Sequence, residues 1–263
     1  MITKWIEPLI TFIFPAACRE CRIMIGIGKV PYICDECWAK IEWIEPPWCQ
    51  RCGIPVGAHD APAANSPVIC SQCLANPPPF GKLRAAAFYE PTLREAIHLL
   101  KYEGRRVLAK HLIQLMQHHL PRDSSGADYD LLLPIPLHKK RYRKRRFNQS
   151  ELLAIAVSSV WNVAVRKDIL LRVKNTVALS RLNSQPERVE TIKGAFDVRF
   201  PESIQDKRLL LIDDIFTTGA TIDEAVRVLQ PANPATIDVL VLCRTRMPNG
   251  SQSSNGRQYL KQS

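Results

Sequence analysis

The run Leu209-Leu-Leu-Ile-Asp-Asp-Ile-Phe-Thr-Thr-Gly-Ala-Thr221 constrains the fold of this chain more than any other stretch. Four aliphatic residues lead straight into two carboxylates and then into a hydroxyl-rich turn with one glycine. A short strand that is apolar on both faces belongs in a parallel sheet covered on both sides. Beyond the turn, Ile222, Ala225, Val226 and Leu229 recur at i, i+3, i+4 and i+7, which predicts a helix with one apolar face. Strand, tight loop and helix N-terminus together make an anion seat, because free N–H groups and the positive end of the helix dipole point at the loop. Gly219 permits close approach of the backbone, and Thr217, Thr218 and Thr221 add hydroxyl donors. Asp213 and Asp214 fall at the C-terminal end of the strand, where open α/β sheets bind ligands. An anion seat beside two acids suits a phosphorylated sugar, with its phosphate on the loop and its hydroxyls on the carboxylates. The bland alternative is a capped helix after a core strand, with Asp214 as a turn residue; the uninterrupted order of all the parts favours the ligand site. No Gly-Lys-Ser/Thr ending is present, so the stretch is not a P-loop.

Cysteine usage organises the other end of the chain. Eight of nine cysteines form four Cys-x-x-Cys pairs: Cys18/Cys21, Cys34/Cys37, Cys49/Cys52 and Cys70/Cys73. Each spacing lets two thiolates reach one tetrahedral ion from a tight knuckle. Twelve residues separate the first two pairs and seventeen the last two, and both gaps fit a zinc ribbon. Two structural Zn2+ ions are expected, since four thiolates leave no open position for a substrate water. Sequential pairing is the simplest arrangement, and an interleaved one stays open. Redox-active dithiols explain two ordered four-cysteine sets poorly. His59, between the last pairs, could replace one of these ligands, and Trp5, Trp38, Trp43 and Trp48 read as small-core packing, with base stacking as the sharper alternative.

Met1 to Phe14 is apolar but short and is interrupted by Glu7 and Pro8. It reads as an amphipathic helix rather than a signal peptide or a membrane span. With no export signal, the cysteines argue for metal in a reducing, cytoplasmic compartment. The Asn76-Pro-Pro-Pro79 run reads as a stiff linker. The expected organisation is a zinc module over residues 1–80, an α/β domain over 81–247 and a disordered tail over 248–263. Within the α/β domain, Leu83–Tyr89, Asp130–Pro136 and Ala235–Cys243 read as strands. Helices are expected around Leu93–Leu100, ended by Gly104, around Leu108–Met116, and over Gln149–Trp161 with Asn148 as cap. His111, His118 and His119 are assigned no role, and Cys243 reads as a buried core thiol.

Net charge is +11, which calls for an anionic partner. The densest positive charge lies in His138-Lys-Lys-Arg-Tyr-Arg-Lys-Arg-Arg-Phe147. Lys139, Lys140, Arg141, Arg143, Lys144, Arg145 and Arg146 supply seven of the eleven net charges, so 11 − 7 leaves only +4 without them. This run is expected to be a loop at the C-terminal end of a strand. It suits a pyrophosphate, and its excess charge also suits single-stranded DNA, with Tyr142 and Phe147 as stacking residues.

The strand–loop–helix stretch resembles the phosphoribosyl pyrophosphate (PRPP) motif of type I phosphoribosyltransferases. The whole chain resembles the ComF family, which joins a double zinc ribbon to a domain of that kind. The matching pieces are the cysteine pairs, Ala86-Ala-Phe-Tyr-Glu90, Leu100-Lys-Tyr-Glu-Gly104, Pro134-Ile-Pro-Leu-His138, Arg146-Phe-Asn-Gln149, Gly194-Ala-Phe196 and Leu211–Thr221. The resemblance implies a twisted, mostly parallel sheet flanked by helices, PRPP with Mg2+ as ligand, and a link to natural competence, with DNA-uptake or recombination proteins as partners. It implies the 5′-phosphate on Thr217, Thr218, Gly219, Ala220 and Thr221, the ribose on Asp213 and Asp214, and the pyrophosphate toward His138–Arg146. Transfer to an unread nitrogen nucleophile is the implied reaction; a DNA-binding factor with a regulatory or vestigial phosphoribosyl site is the alternative. Thr176–Phe196 corresponds to a mobile loop and departs from the family pattern. Leu179 stands where Gln is usual, Arg188 is kept with an extra residue before Gly194, and Thr191 or Ile192 replaces Asn. Phe147 also follows Arg146 directly, where Gly-Phe is usual.

Overall fold

The computed structural model describes residues 17–25, 30–56, 68–177 and 184–246. The expected N-terminal helix with Trp5, and also His59, Leu179 and the tail 248–263, lie outside the described residues.

Two short helical turns come first, α1 (Asp35–Trp38) and α2 (Ser71–Ala75). Strand β1 (Leu83–Phe88) leads to two amphipathic helices, α3 (Pro91–Tyr102) and α4 (Val107–His118). Then β2 (Leu131–Pro134) runs through α5 (Lys139–Arg145) into α6 (Gln149–Trp161). Next come β3 (Ala164–Val165), β4 (Leu170–Arg172), α7 (Gln185–Ile192) and β5 (Phe196–Val198). The last elements are β6 (Arg208–Phe216), α8 (Ala220–Leu229) and β7 (Thr236–Arg244).

Five strands pair in the order β1-β7-β6-β2-β3, every pair parallel. The aliphatic run explains why β6 is central. Side chains alternate along a strand, so Leu210 and Ile212 enter one core while Leu209 and Leu211 enter the other. Helices α3, α4 and α6 cover the first face through Leu93, Leu108 and Leu153. Helix α8 covers the second through Ile222, Ala225, Val226 and Leu229, the residues whose spacing predicts it. A separate antiparallel pair, β4 with β5, adds Leu170 and Phe196 to the second core.

The cysteine-rich segment packs directly on this sheet. Ile44 N donates to Ala86 O at 2.9 Å and Phe88 N to Glu42 O at 3.0 Å, so the segment around Trp43 runs antiparallel along the outer edge of β1. That covers an edge that would otherwise invite pairing with another chain. Cys18, Cys34, Cys37 and Trp38 share one core with Leu93, Ala96 and Ile97 of α3. The ring of His111 lies 4.2 Å from that of Trp38, and His119 stacks on Trp43 at 3.4 Å. Burial pushes both imidazoles below the usual histidine value. The packing role expected of Trp38 and Trp43 is thus what the structure shows.

A second knuckle, Cys49–Cys52, is held by two buried arginines. Arg84 Nη1 donates to Gln50 O at 3.1 Å, and Arg244 Nη1 donates to Cys52 O. Leu83 N donates to Arg51 O at 2.6 Å. At Gly53, with φ at +65°, any Cβ would stand 2.4 Å from Leu83 O, so only glycine allows this approach.

Two segments differ from the sequence expectation. The basic run is helix α5, not a loop. His138 Nδ1 accepts from Lys140 N at 3.2 Å at its start, and Arg146 ends it in the left-handed conformation at φ 68°. Lysine and arginine are good helix formers, and caps at both ends suffice for two turns. The stretch Thr176–Phe196, expected as a mobile loop, contains α7. Ser184 Oγ accepts from Glu187 N at 3.3 Å and Pro186 sits in the first turn. Ser184-Gln-Pro-Glu187 is a helix-start pattern that the loop reading passed over.

Candidate functional site

The C-terminal ends of β2, β6 and β7 open on one cleft of about 870 Å³. Asp213 and Asp214 form its floor. Both lie inside β6, which runs on to Phe216, so the strand end is two residues later than the sequence suggests. Asp214 is 7% exposed, and Lys101 Nζ from the last turn of α3 stands 2.5 Å from its Oδ2. Asp213 Oδ1 accepts from Ser150 Oγ at 2.8 Å and from Asp214 N at 2.9 Å. Burial, and then the charge of Asp214, push the Asp213 carboxyl up to about 7.

The hydroxyl-rich loop sits beside this pair. Gly219 has φ +87° and starts α8 as its N-cap residue. The positive φ favours glycine, and a Cβ at this position would press on Phe216 Cζ and Asp223 Oδ2, each 3.2 Å away. Thr217, Thr218 and Thr221 line the cleft, whereas Ala220 is buried beneath the loop. Asp223 lies in the first turn of α8, and burial pushes its carboxyl up to about 6.

Of the basic run, Arg141 and Arg145 line the cleft. Arg141 Nη2 donates to Thr176 O at 2.5 Å. Arg145 donates to Lys101 O at 3.0 Å and to Gln149 Oε1 at 2.7 Å, and burial pushes its pKa down. His138 caps α5, while Lys139, Lys140, Arg143, Lys144 and Arg146 are exposed and lie off the cleft lining. Phe147 is only 9% exposed and belongs to the core, which removes it as a stacking residue; Tyr142 is 46% exposed. Arg188, on α7, lines the cleft from the other side.

Sequence reasoning assigned no role to Lys101, Ser150, Gln149 or Arg172, all of which line this cleft. Arg172 Nη2 donates to Thr176 Oγ1 at 2.7 Å, and burial together with nearby Arg141 lowers its pKa to about 10. Among the described residues, Arg172 Nε and Gln149 Nε2 are buried donors that find no hydrogen-bond acceptor. Donors left open beside a cleft are costly unless a ligand's acceptor completes them. A usable signal existed for Lys101: two adjacent acids at a strand end demand a cation from elsewhere in the chain.

The eight paired cysteines fall into two groups, Cys18/Cys21/Cys34/Cys37 and Cys49/Cys52/Cys70/Cys73, with all ligand atoms of a group within 4.8 Å of one another. This is the sequential pairing; the interleaved one is ruled out. Sulfur separations of 3.8 Å (Cys18–Cys37), 3.5 Å (Cys21–Cys34) and 3.7 Å (Cys52–Cys70) fit the edges of a ZnS4 tetrahedron, about 3.8 Å for Zn–S bonds of about 2.3 Å. They are far too long for disulfides. Cys34 N donates to Cys18 Sγ at 3.4 Å and Cys70 N to Cys49 Sγ at 3.3 Å, which favours thiolates. The residues fit structural zinc, four thiolates to each ion.

Comparison with known proteins gives two family matches. A double zinc ribbon domain matches residues 9–74, and a phosphoribosyl transferase domain matches residues 152–257. DNA utilization protein YhgH of Escherichia coli K12 is 30% identical over 234 residues, covering 88% of this chain and 98% of that protein. Competence protein F of Haemophilus influenzae is 26% identical over 88% of this chain and 98% of its own length. Competence protein ComFC of Bacillus subtilis is 25% identical over 81% and 84%. Among solved structures, a purine phosphoribosyltransferase from Pyrococcus horikoshii aligns with TM-score 0.31 and 12% identity, covering 52% of this chain and 82% of that one. The class is therefore a double zinc ribbon joined to a type I phosphoribosyltransferase fold. Within that class, the chain belongs to the ComF family. Among the described residues, no helix is long and apolar enough to cross a membrane.

Proposed function

We propose that this protein binds PRPP across the C-terminal edge of β6 and can transfer its phosphoribosyl group to a nitrogen nucleophile. One observation carries the reading: the carboxylate pair, the Thr217–Thr221 loop and the open donors of Gln149 and Arg172 line a single cleft. In this reading the 5′-phosphate takes the N–H groups and hydroxyls at the start of α8. The ribose hydroxyls donate to Asp213 and Asp214, which Lys101 and Ser150 hold in place. The pyrophosphate lies toward Arg141, Arg145 and Arg172.

Magnesium fits the same place, since Asp213 and Asp214 offer hard oxygen donors of the kind that share this ion with substrate phosphates. When bound, it would screen the pyrophosphate charge. In the transfer step the ribose C1–O bond to pyrophosphate breaks and a C1–N bond forms. The chain's own residues position the reactants and stabilise the departing charge, with no covalent nucleophile. The test is pyrophosphate release from PRPP in the presence of nucleobases, run beside the Asp213→Asn/Asp214→Asn variant. Release by the native protein and none by the variant is expected; equal release by both would sink the assignment.

The names of the relatives, a DNA utilization protein and two competence proteins, support a role in the handling of incoming DNA. A second reading rests on the five basic residues of α5 and its cap that face solvent rather than the cleft. They suit a nucleic-acid backbone. Replacing Lys139, Lys140, Arg143, Lys144 and Arg146 with Gln should weaken retention of single-stranded DNA and flatten its salt dependence. Retention that is insensitive to salt in the native protein contradicts this reading.

A further inference from the structure

The phosphoribosyl cleft is not built from the α/β domain alone. Its wall on the β7 side is made by the second zinc ribbon and the segment after it: Gln72, Asn76, Pro77–Pro79 and Phe80 all line it. This wall is fixed to the sheet. Phe80 packs edge-on against Phe216 at 6.3 Å, Gln230 Nε2 donates to Pro79 O at 3.3 Å, and buried Arg244 holds the carbonyl of Cys52. A surface held this way is preorganised, not adaptable.

The basic groups of α5 lie on the β2 side of β6, so the leaving group and the ribbon wall occupy opposite sides of the ribose seat. Asn76 follows the last residue of α2 and its N donates to Gln72 O at 2.8 Å, which holds the two residues together on the cleft wall they both line. Both residues are exposed, and neither side-chain amide bonds to another described residue. Free amides at the mouth of a cleft, beside aromatic Phe216 and rigid prolines, match the edge of a planar heterocycle. Asparagine and glutamine present a donor and an acceptor together, which is how they read nucleobase edges.

We infer that the second zinc ribbon is the acceptor-recognising wall of the phosphoribosyl site, and that the acceptor is a heterocyclic base read by the amides of Gln72 and Asn76. The inference rests on the PRPP-binding reading above. It gives the ribbon a place in substrate choice beyond its part in stability.

The test uses product-side probes on the full-length, zinc-loaded protein. Ribose 5-phosphate reports the phosphate and ribose seats alone; AMP, GMP, CMP and UMP add a base directed at the ribbon. At least one nucleotide should bind tighter than ribose 5-phosphate by roughly tenfold or more, the worth of a paired base edge. Gln72→Ala with Asn76→Ala should abolish that excess and leave ribose 5-phosphate affinity and zinc content unchanged. The near-isosteric pair Gln72→Glu with Asn76→Asp removes the amide donors while keeping shape, which guards against a folding defect in the alanine variant. Nucleotides that bind no tighter than ribose 5-phosphate overturn the inference, as does an excess that survives both double variants. If ribose 5-phosphate itself does not bind, the PRPP-binding reading falls and takes this inference with it.

Discussion

Lys101 Nζ lies 2.5 Å from Asp214 Oδ2, joining the end of α3 to the floor of the cleft. Both side chains are largely buried, at 18% and 10% exposure, so neither charge is well served by water. Removing one partner of such a pair strands the other. Lys101→Met should therefore destabilise the protein by about 3–5 kcal/mol. Adding Asp214→Asn should recover most of that loss, because no unpaired charge remains. Urea denaturation of the two single variants and the double variant measures the coupling directly.

Asp213 gives a pH signature. Its carboxyl is pushed from 3.8 up to about 7 by burial and the neighbouring Asp214. Between those values the folded protein holds a proton that the unfolded chain releases. Stability is therefore lost as pH rises through this window, and the loss is complete above it. Asp213→Asn keeps an oxygen acceptor for Ser150 Oγ and carries no such cost. The variant should melt higher than the native protein near pH 8, with the gain shrinking to nothing as pH falls toward 4. Each unit of pKa corresponds to about 1.4 kcal/mol, so a few kcal/mol is the ceiling. A melting difference independent of pH would refute this account of Asp213.

Gly219 is the turn on which the proposed phosphate seat depends. Its φ of +87° is unfavourable for any residue with a Cβ, and the added methyl would press on Phe216 and Asp223. Gly219→Ala should cost about 1–2 kcal/mol in stability from the backbone alone. It should weaken ribose 5-phosphate binding as well, since the N–H groups of the seat would shift. Calorimetry and thermal melting on the same sample separate the two effects.

Much of the central architecture was legible because it rests on short-range patterns. Leu209–Ile212 announced a strand buried on both faces, and Ile222, Ala225, Val226 and Leu229 announced the helix after it. Asn148 capped α6 as its type suggests, accepting from Ser150 N at 3.2 Å. What the sequence left hidden depends on distant contacts. Lys101 meets Asp214 because α3 shares the core on the Leu210 and Ile212 face of the sheet, and no local spacing encodes that contact. The basic run forms a helix rather than the expected loop, since lysine and arginine favour helices and caps close both of its ends. The covering of the β1 edge by Glu42–Ile44 was equally hidden, since it is fixed by two backbone bonds and by packing on Ala86 and Ala87.

The two zinc groups should differ in what their loss does. Cys18, Cys34 and Cys37 are part of the main core beside α3 and α4, whereas Cys49, Cys52 and Cys73 form a small cluster of their own. Cys18→Ser should lower the melting temperature of the whole protein. Cys70→Ser should release one zinc and loosen the ribbon wall while leaving the main transition closer to native. Zinc content by atomic absorption, read with calorimetric melting, checks both. Equal effects on the main transition would contradict the separation of the two cores.

In the proposed function, Asp213, Asp214 and the loop after them hold PRPP. Isothermal titration of PRPP with magnesium into the native protein and into Asp213→Asn/Asp214→Asn tests this. Saturable one-to-one binding to the native protein, and its loss in a variant that still folds and retains zinc, is the result predicted. Equal affinity in both proteins would contradict it.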